Sequence, residues 1–522
     1  MVKRLTLLIS FFGFLGLLAG CGGGGGGGSS QVTLTAIADW TNFGQPISGS
    51  SMQWSLYSLD EALVRSIAIN RDLPGEQSAP MANLPKGAYH LKVELFSQTN
   101  LGGSIVGVLD EQIQLNGNSI YRAVIGTDPA SVKVTPPSAT FKAGQGKQFY
   151  AACYNAAQKP TFAVPDSFSW QTFGSVATVN ETGFVQGTSA GNGTVVATDS
   201  GSSLQGGATI TVQNTNVTTS KWTVLIFLNA ANDLNEFGDL NFDQMEEVAG
   251  NPQVRFVVQW KQFQSSLSPN PSFVGTRRYL AKLDTANGIN SELIQNMGTN
   301  VDMGRKETLL DFINWGKTFY PAQRYCLVIW NHGNGWRRGP DSNRPTRGVS
   351  YDDQTGSSIE TWELAQALGS NNIDIIAWDA SLMQMAEVAH EIQDQAELIV
   401  GSEESPPGAG YPYDLVFAPF RDNPDATTLT LAKSFVDNTL IGYQGTGEFI
   451  TQSVIDPTQL ANLATKVSAL AQELINNQAS PGFAAMIQQV RNEAARYPRK
   501  FLPTNPGDFR KYRDLWDVCD RI

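Results

Sequence analysis

Hydrophobic and polar residues alternate along the first part of the chain. Between residues 31 and 126, short alternating runs such as QVTLTAIADW and AYHLKVELF are separated by turns rich in Gly, Pro and Asn. The same pattern continues over residues 129–213. Alternation with a period of two is typical of strands with one buried face and one solvated face. The pattern therefore predicts a multidomain protein that begins with two β-sandwich domains, at 31–126 and 129–213.

From residue 221 onwards, continuous apolar runs alternate with helical patterns. Apolar runs without alternation are typical of strands buried on both faces, which occur in parallel sheets covered by helices. We therefore predict a three-layer α/β domain with a mostly parallel sheet over residues 221–522. The predicted strands are 222–228, 255–260, 324–330, 373–378 and 396–401, and the predicted helices are 235–249, 306–319, 358–368 and 382–394.

The first thirty residues have the composition of a targeting segment. Two basic residues precede an apolar run, Leu5 to Leu18, and the sequence LAGC that closes this region ends at Cys21. A positive segment followed by a short apolar run is typical of a signal peptide, and the ending resembles the lipobox of bacterial lipoproteins. We predict a signal peptide at 1–20, lipidation of Cys21 and a flexible Gly/Ser tether at 21–30. The alternative is an ordinary secretory signal with a chance cysteine.

Lipidation would determine where the protein resides. Lipid chains anchor a protein to a bilayer without a spanning segment. The residue after Cys21 is a glycine and not an acid, which favours the outer membrane if the cell is Gram-negative. The predicted location is therefore the bacterial cell envelope, with a lipid anchor in the outer membrane and the protein on its periplasmic or surface face.

Composition narrows the classes of function. Acidic residues number 48 and basic residues 36, so the net charge is −12. This balance argues against nucleic acid as a partner, because proteins that bind nucleic acid normally present a basic face.

The chain has three scattered histidines and no C-x-x-C pair, so it lacks the spacing of a zinc site. Cys153, Cys326 and Cys519 lie in three different regions and predict no disulfide framework, and Cys326 is expected to be buried in a strand.

One serine motif is predicted to be a turn. Residues 187–191 match G-x-S-x-G, the nucleophile motif of many hydrolases. That motif requires a buried strand before the serine and a helix after it. Both flanks here have the β pattern, so we predict a turn between two strands.

His332 is the candidate general base. Ligands of parallel sheets bind at the carboxyl ends of the strands, and the predicted strand 324–330 is followed by Asn331, His332 and Gly333. A histidine at this position, next to small residues that let a substrate backbone approach, fits general base catalysis. The other two histidines, in the first β-sandwich and in the middle of a predicted helix, are expected to be structural.

Ser381 has two competing interpretations. The predicted strand 373–378 is followed by Asp379, Ala380 and Ser381, and then by a helical pattern. A strand, a turn and a helix form the arrangement in which many α/β enzymes hold a nucleophile, but Ser is also a favoured N-cap of a helix. The last predicted strand is followed by a polar loop that contains the acid pair Glu403 and Glu404. On their own, these two acids fit solvated charges or cation ligands as well as a cleft wall.

Five segments between residues 221 and 460 form a recognisable set. They are TVLIFLNAANDLN (223–235), LVIWNHGNGW (327–336), VSYDD (349–353), IIAWDASLMQMAEV (375–388) and GSEESPPGAGYPY (401–413). In these segments the chain resembles the clostripain family of cysteine peptidases, relatives of gingipains, legumain and caspases. The 49-residue gap between His332 and position 381 also fits the family. The second β region resembles bacterial Ig-like modules.

The resemblance implies a caspase-like fold and a role for each residue of the candidate site. His332 would be the general base, and the N–H groups of Gly333 and residue 381 would form the oxyanion hole. Asp379 would lie at the floor of the pocket that selects Arg or Lys. Ser381 departs from the family, which has a nucleophilic cysteine at this position. A serine hydroxyl stays protonated and needs a well-oriented base, whereas the family's Cys–His dyad usually has no third residue that orients the histidine.

Three functions follow from this departure. The first is a membrane-anchored endopeptidase that cleaves peptide or protein substrates after Arg or Lys, with Ser381 as nucleophile and Asp379, Glu403 and Glu404 as substrate-binding residues. The second is a weak or inactive pseudopeptidase that binds basic peptides. The third is a surface adhesion or scaffold lipoprotein that acts through its Ig-like modules.

Two further expectations concern the C-terminal end of the chain and a possible Ca²⁺ cofactor. Residues 456–477 predict an amphipathic helix, and the chain stops within another amphipathic pattern, YRDLWDVCDRI. We therefore expect that the peptidase domain continues beyond residue 522 in a longer protein. The resemblance allows a dependence on Ca²⁺, but no residue of the sequence is assigned as a metal ligand.

Overall fold

The computed structural model describes residues 31–41, 49–59, 63–72, 75–214, 218–266, 268–269, 271–336, 348–497 and 512–522. The predicted signal peptide, the lipidated Cys21 and the tether lie outside these residues. Within them, no helix is long enough and apolar enough to cross a bilayer.

The N-terminal β region alternates as its sequence predicts. In the first strand, buried and half-buried residues follow one another, and the buried side chains pack around Trp40 and Trp54. Burial of these two indoles removes a large apolar area from water, which stabilises the fold. The strands are β1 (Val32–Asp39), β2 (Ser51–Tyr57), β3 (Leu63–Asn70), β4 (Glu76–Leu84), β5 (Gly87–Phe96), β6 (Ile105–Leu115) and β7 (Ser119–Val124).

The second β region has a separate core that includes Phe149 and Val195. The G-x-S-x-G motif lies between two of its strands, one ending at Gly187 and the next beginning at Gly191, so the prediction of a turn is confirmed. The strands are β8 (Ser131–Thr135), β9 (Ser138–Lys142), β10 (Gly146–Gln148), β11 (Tyr150–Tyr154), β12 (Pro160–Thr161), β13 (Phe168–Phe173), β14 (Ala177–Val179), β15 (Phe184–Gly187), β16 (Gly191–Asp199) and β17 (Gln205–Gln213).

The two β regions share one sheet. Its order is β4-β1-β7-β12-β11-β8, so three strands come from each region. The junction is a parallel pairing of Thr161 with Val124, and the Thr161 hydroxyl donates to the Val124 carbonyl at 3.0 Å. A bridge between Val108 and Ala163 adds a second backbone connection. The sheet therefore crosses the boundary that the sequence predicts between residues 126 and 129.

The C-terminal region contains an eight-stranded sheet of order β21-β20-β19-β18-β22-β25-β26-β27. The five central strands, β19 to β26 in that order, are parallel, and the pairs at both edges are antiparallel. The larger strands are β18 (Ser220–Ala230), β19 (Val254–Gln262), β20 (Gly275–Leu280), β21 (Glu292–Asn296), β22 (Ala322–Trp330), β25 (Ile373–Asp379), β26 (Ala396–Gly401) and β27 (Ser453–Ile455). Two short antiparallel strand pairs are β23 (Val349–Asp352) with β24 (Ser357–Ile359) and β28 (Arg496–Tyr497) with β29 (Tyr512–Arg513).

Helices cover both faces of this sheet, which confirms the three-layer α/β prediction. One apolar core joins the sheet to α1 and α5–α7, and a second core joins the opposite face to α2–α4. The helices are α1 (Asn235–Val248), α2 (Lys306–Phe319), α3 (Leu364–Leu368), α4 (Ala386–Glu391), α5 (Tyr413–Val416), α6 (Ala418–Asp422), α7 (Thr428–Gly442), α8 (Leu460–Asn476), α9 (Phe483–Glu493) and α10 (Leu515–Arg521). Single 3₁₀ turns lie at Thr361–Glu363 and Pro457–Gln459.

The helix predicted at 382–394 begins later than expected. The backbone N–H of Leu382 donates to Glu404 and that of Gln384 donates to Ser402, both at 3.2 Å. Leu382 also has a φ of 64°, a left-handed conformation that no α-helix contains. The segment after β25 is therefore bonded to the neighbouring loop, and α4 starts only at Ala386.

The carbonyl of Gly144 is one of the contacts by which the second β region packs on the C-terminal domain. The Gly144 carbonyl accepts from the side chains of Gln295 at 3.0 Å and Trp315 at 3.1 Å. Gly144 has a φ of 85°, and a Cβ there would lie 2.5 Å from the Phe319 ring, so only glycine fits this contact.

Candidate active site

The end of strand β22 is fixed by Asn331. Its backbone N–H donates to the Asp379 carbonyl at 3.2 Å, and its side chain donates to the carbonyls of Asn229 and Tyr351. The Tyr351 N–H donates back to the Asn331 side-chain oxygen at 2.7 Å. These bonds tie the strand end to β18, β23 and β25, so the chain leaves the sheet in a defined direction and presents His332 next.

The imidazole of His332 contacts an acid that the sequence analysis did not single out. Its Nε2 lies 2.6 Å from Oδ1 of Asp233, and the two side chains are 27% and 45% exposed. Asp233 lies in the loop between β18 and α1. The rule that assigned His332 could have found it, because Asp233 also follows the carboxyl end of a parallel strand.

Ser381 lies in the turn after β25 and is half-buried. Its hydroxyl is 3.1 Å from that of Ser405, in the loop after β26. The N-cap interpretation of Ser381 is wrong, because α4 is preceded by Met385 and has no side-chain cap. Tertiary hydrogen bonds at Leu382 and Gln384 keep the intervening residues out of the helix.

The loops that carry His332 and Ser381 touch. Strands β22 and β25 are parallel neighbours, with Trp330 opposite Asp379, so both residues lie two positions beyond one register pair. A Cβ on Gly333 would lie 2.3 Å from the Ser381 carbonyl oxygen. A glycine at position 333 is therefore required by this close approach, and the structure brings together the three residues predicted for catalysis.

Asp379 is buried at the last position of β25. Its carboxylate accepts from the Tyr411 N–H at 3.2 Å and from the Tyr413 hydroxyl at 2.9 Å. Burial raises the pKa of Asp379 to about 7, and the two hydrogen bonds only partly oppose this rise. A Cβ on Gly410 would lie 2.6 Å from this carboxylate. The loop after β26 thus encloses Asp379, and its predicted role in a pocket that selects Arg or Lys stays a prediction.

Glu403 and Glu404 brace the same loop. Glu403 accepts from the hydroxyls of Thr451 at 3.1 Å and Ser453 at 3.3 Å, and burial raises its pKa. Glu404 is almost fully buried, and its side chain accepts from the Ser405 N–H at 3.0 Å. The Glu403 contacts hold the loop against Thr451 and Ser453, at the start of β27. The predicted role of the two acids in substrate binding stays a prediction.

The charged groups do not form a metal site in the part of the chain that the structure describes. Within it, no three His, Cys, Asp or Glu side chains are grouped so that they could hold a metal ion. The dependence on Ca²⁺ that the family resemblance allows stays a prediction.

Comparison with known protein families shows to which family the chain belongs. The sequence profile of the clostripain family matches residues 226–522, more than half of the chain. The chain belongs to the clostripain family. The profile of the bacterial Ig-like domain (group 2) matches residues 129–212. Both resemblances are thereby confirmed, and the C-terminal domain has the caspase-like fold.

Clostripain from Hathewaya histolytica is 24% identical over 288 residues, which are 48% of this chain and 55% of clostripain. The chain thus spans about half the length of this curated relative. A solved structure of an inactive zymogen C11 protease from Parabacteroides distasonis is 23% identical with a TM-score of 0.44, over 59% of this chain and 79% of that chain. The structure of a secreted C11 cysteine protease from Bacteroides thetaiotaomicron, in complex with an irreversible peptide inhibitor, is 22% identical with a TM-score of 0.39, over 47% and 69%.

Proposed function

We propose that this protein is a lipid-anchored endopeptidase of the clostripain type that cleaves after Arg or Lys and uses Ser381 as its nucleophile. The observation that carries the proposal is the contact between the His332 loop and the Ser381 turn at the carboxyl ends of two neighbouring parallel strands. The ends of such strands are where α/β enzymes bind their ligands.

Ser381, His332 and Gly333 could together carry out every step of an acyl-transfer reaction. Ser381 Oγ attacks the scissile carbonyl carbon while His332 takes the hydroxyl proton, and the carbonyl π electrons move to the oxygen. The N–H groups of Gly333 and Ser381 are the proposed donors to that oxyanion. Collapse of the tetrahedral intermediate breaks the C–N bond, and the amine leaves with the proton from His332. Water then attacks the ester by the same steps and restores the serine.

Asp379 is the proposed determinant of specificity. A carboxylate beside the nucleophile turn would pair with the guanidinium or ammonium group of a substrate. Because burial raises the pKa of Asp379 to about 7, a bound cation would stabilise its ionised form. Desolvation would also strengthen the attraction between the two charges.

A second candidate function is a pseudopeptidase that binds basic peptides without cleaving them. The observation that favours it is the Ser381 hydroxyl, which is paired with Ser405 at 3.1 Å. When Ser381 is the donor in this pair, its hydroxyl must change partner before His332 can accept its proton.

A cleavage assay on peptides with Arg or Lys before the scissile bond distinguishes the endopeptidase from the pseudopeptidase. Cleavage is measured for the wild type, Ser381→Cys, His332→Ala and Ser405→Ala. The endopeptidase proposal expects wild-type turnover that His332→Ala abolishes and that Ser405→Ala increases or leaves unchanged. Turnover by Ser381→Cys alone supports the pseudopeptidase, since the site would then be intact and only the nucleophile inadequate. If neither the serine nor the cysteine form cleaves, the proposal of a peptidase is wrong.

Membrane anchoring rests on the LAGC sequence that ends at Cys21. The proposed location is the outer membrane of the cell envelope. Metabolic labelling with a radioactive fatty acid should mark the wild type and not Cys21→Ser, and equal labelling of both would contradict the lipid anchor.

A further inference from the structure

Three neighbouring strands place an acid, a base and a hydroxyl in one row. The sheet order contains β18-β22-β25, all parallel. Asp233 follows β18, His332 follows β22 and Ser381 follows β25. Because β22 lies between the other two, the topology puts Asp233 on the opposite side of His332 from Ser381.

The hydrogen bond to Asp233 involves one particular nitrogen of His332. Nε2 lies 2.6 Å from Asp233 Oδ1, a distance typical of a charge-assisted hydrogen bond. An ionised carboxylate can only accept, so Nε2 carries the proton in this pair. In the neutral imidazole the other nitrogen, Nδ1, then has a free lone pair.

The geometry points to Asp233 as a positioning residue that holds His332 in the Nε2-protonated tautomer, so that Nδ1 is the base for Ser381. This inference rests on the proposed peptidase function. It also addresses the departure from the family, because a serine hydroxyl needs an oriented base more than a thiol does. Asp233 would supply the third residue that a serine enzyme uses and that a Cys–His dyad lacks.

The loops that contain Asp233 and His332 are hydrogen-bonded to the same carbonyl oxygen. Tyr351 O accepts from the side chains of Asn229 at 3.2 Å, Asn232 at 3.0 Å and Asn331 at 3.1 Å. Asn232 and Asn331 immediately precede Asp233 and His332. A shared anchor of this kind fixes the distance between the acid and the imidazole before any substrate binds.

Stability alone is a poor explanation for this pair. Both side chains are partly exposed, 27% for His332 and 45% for Asp233, and exposed ion pairs contribute little to the free energy of folding. A merely structural pair would therefore leave kcat unchanged when the carboxylate is replaced by an amide.

The tautomer can be measured directly. The chain contains only three histidines, His90, His332 and His390, so long-range ¹H–¹⁵N spectra of histidine-labelled protein are simple to assign with a His332→Ala variant. At a pH where the imidazole is neutral, we expect the Nε2–H tautomer for His332 in the wild type. Asp233→Asn should shift it towards a mixture or towards Nδ1–H. An Nδ1–H tautomer in the wild type, or an unchanged Nε2–H tautomer in Asp233→Asn, would overturn the inference.

Kinetics provide an independent measurement. In whichever of the wild type and Ser381→Cys cleaves, Asp233→Asn should lower kcat at least about tenfold with little change in KM, and Asp233→Glu should restore part of the loss. The matched control is Glu236→Gln, which removes an exposed acid from the first turn of α1 and should leave kcat unchanged. Equal kcat for the wild type and Asp233→Asn would contradict the positioning role.

The tautomer of His332 and the cleavage rate test the role of Asp233 and the proposed peptidase function separately. Absence of cleavage by both the serine and the cysteine form would reject the proposed peptidase, whereas the tautomer of His332 would still decide the role of Asp233. Cleavage that is insensitive to Asp233→Asn would reject the positioning role and leave the peptidase standing.

Discussion

Two aspartates flank the candidate site, and their surroundings differ. Asp233 is half exposed and its carboxylate faces the imidazole of His332. Asp379 is buried, accepts hydrogen bonds from Tyr411 and Tyr413, and has a pKa raised to about 7 by desolvation. An exposed carboxylate stays ionised at little cost, which suits an acid that must hold a proton on its neighbour. A buried carboxylate becomes stably charged only when a cation arrives, which suits an acid that recognises a basic side chain.

The largest expected effect is on substrate choice. Asp379→Asn removes the negative charge while keeping the shape of the side chain, so the preference for Arg over its uncharged isostere citrulline should fall by roughly 10²–10³-fold in kcat/KM, the loss of a buried charge pair. Asp233→Asn is the matched variant and should lower the rate on both peptides equally. The division of roles between the two acids fails if Asp233→Asn changes the preference or if Asp379→Asn does not.

A smaller effect should appear in the pH dependence of binding. Asp379 must be ionised to pair with a cation, so affinity for an Arg peptide should rise with pH through about 7, by about tenfold between pH 6 and pH 8. Binding is measured calorimetrically with His332→Ala, which neither cleaves nor titrates at position 332. A citrulline peptide, or the additional change Asp379→Asn, should remove the dependence. A flat profile for the Arg peptide would show that Asp379 does not face the bound cation.

The smallest expected effect is on stability without substrate. Because the folded-state pKa of Asp379 is raised above its ordinary value, the folded state binds the proton more tightly, and stability falls as pH rises through about 7. Asp379→Asn should therefore gain about 1 kcal/mol relative to the wild type between pH 6 and pH 8, roughly 2–4 °C in melting temperature. Glu236→Gln, which removes an exposed acid from the first turn of α1, serves as the comparison and should show no such gain. A constant difference between Asp379→Asn and wild type across this range would mean that Asp379 is already ionised in the folded protein.

The parallel strands could be predicted because burial on both faces leaves an apolar run. Strand β25, predicted at 373–378, spans Ile373–Asp379 in the structure. Strand β20 was missed because its sequence, GTRRYL, contains two arginines. Arg278 is nevertheless almost fully buried, and its donors are satisfied by Gln259, Gln295 and Asp311. Polarity in the sequence therefore conceals burial whenever distant residues supply the hydrogen bonds.

Part of the candidate site could likewise be predicted from the sequence. His332 and Ser381 follow apolar strands and could be assigned from local pattern and family resemblance. Asp233 and Ser405 contact partners 99 and 24 residues away. The position of Asp233 after a parallel strand could have marked it as a candidate, but no local spacing reveals which side chain it contacts. The late start of α4 has the same origin, because helical periodicity over 382–394 competes with backbone bonds to Ser402 and Glu404 that only the tertiary fold provides.

The sheet shared by the two β regions has a consequence for how this protein can diversify. A recombination event that exchanged residues 129–213 alone would remove β8, β11 and β12 from that sheet and leave β7 with an open edge, which invites aggregation. The same exchange would remove the Gly144 carbonyl on which Trp315 and Gln295 depend. Exchange of both β regions together would keep their shared sheet intact, whereas exchange of one would require a compensating change in the other. Either exchange needs a new acceptor for the side chains of Trp315 and Gln295.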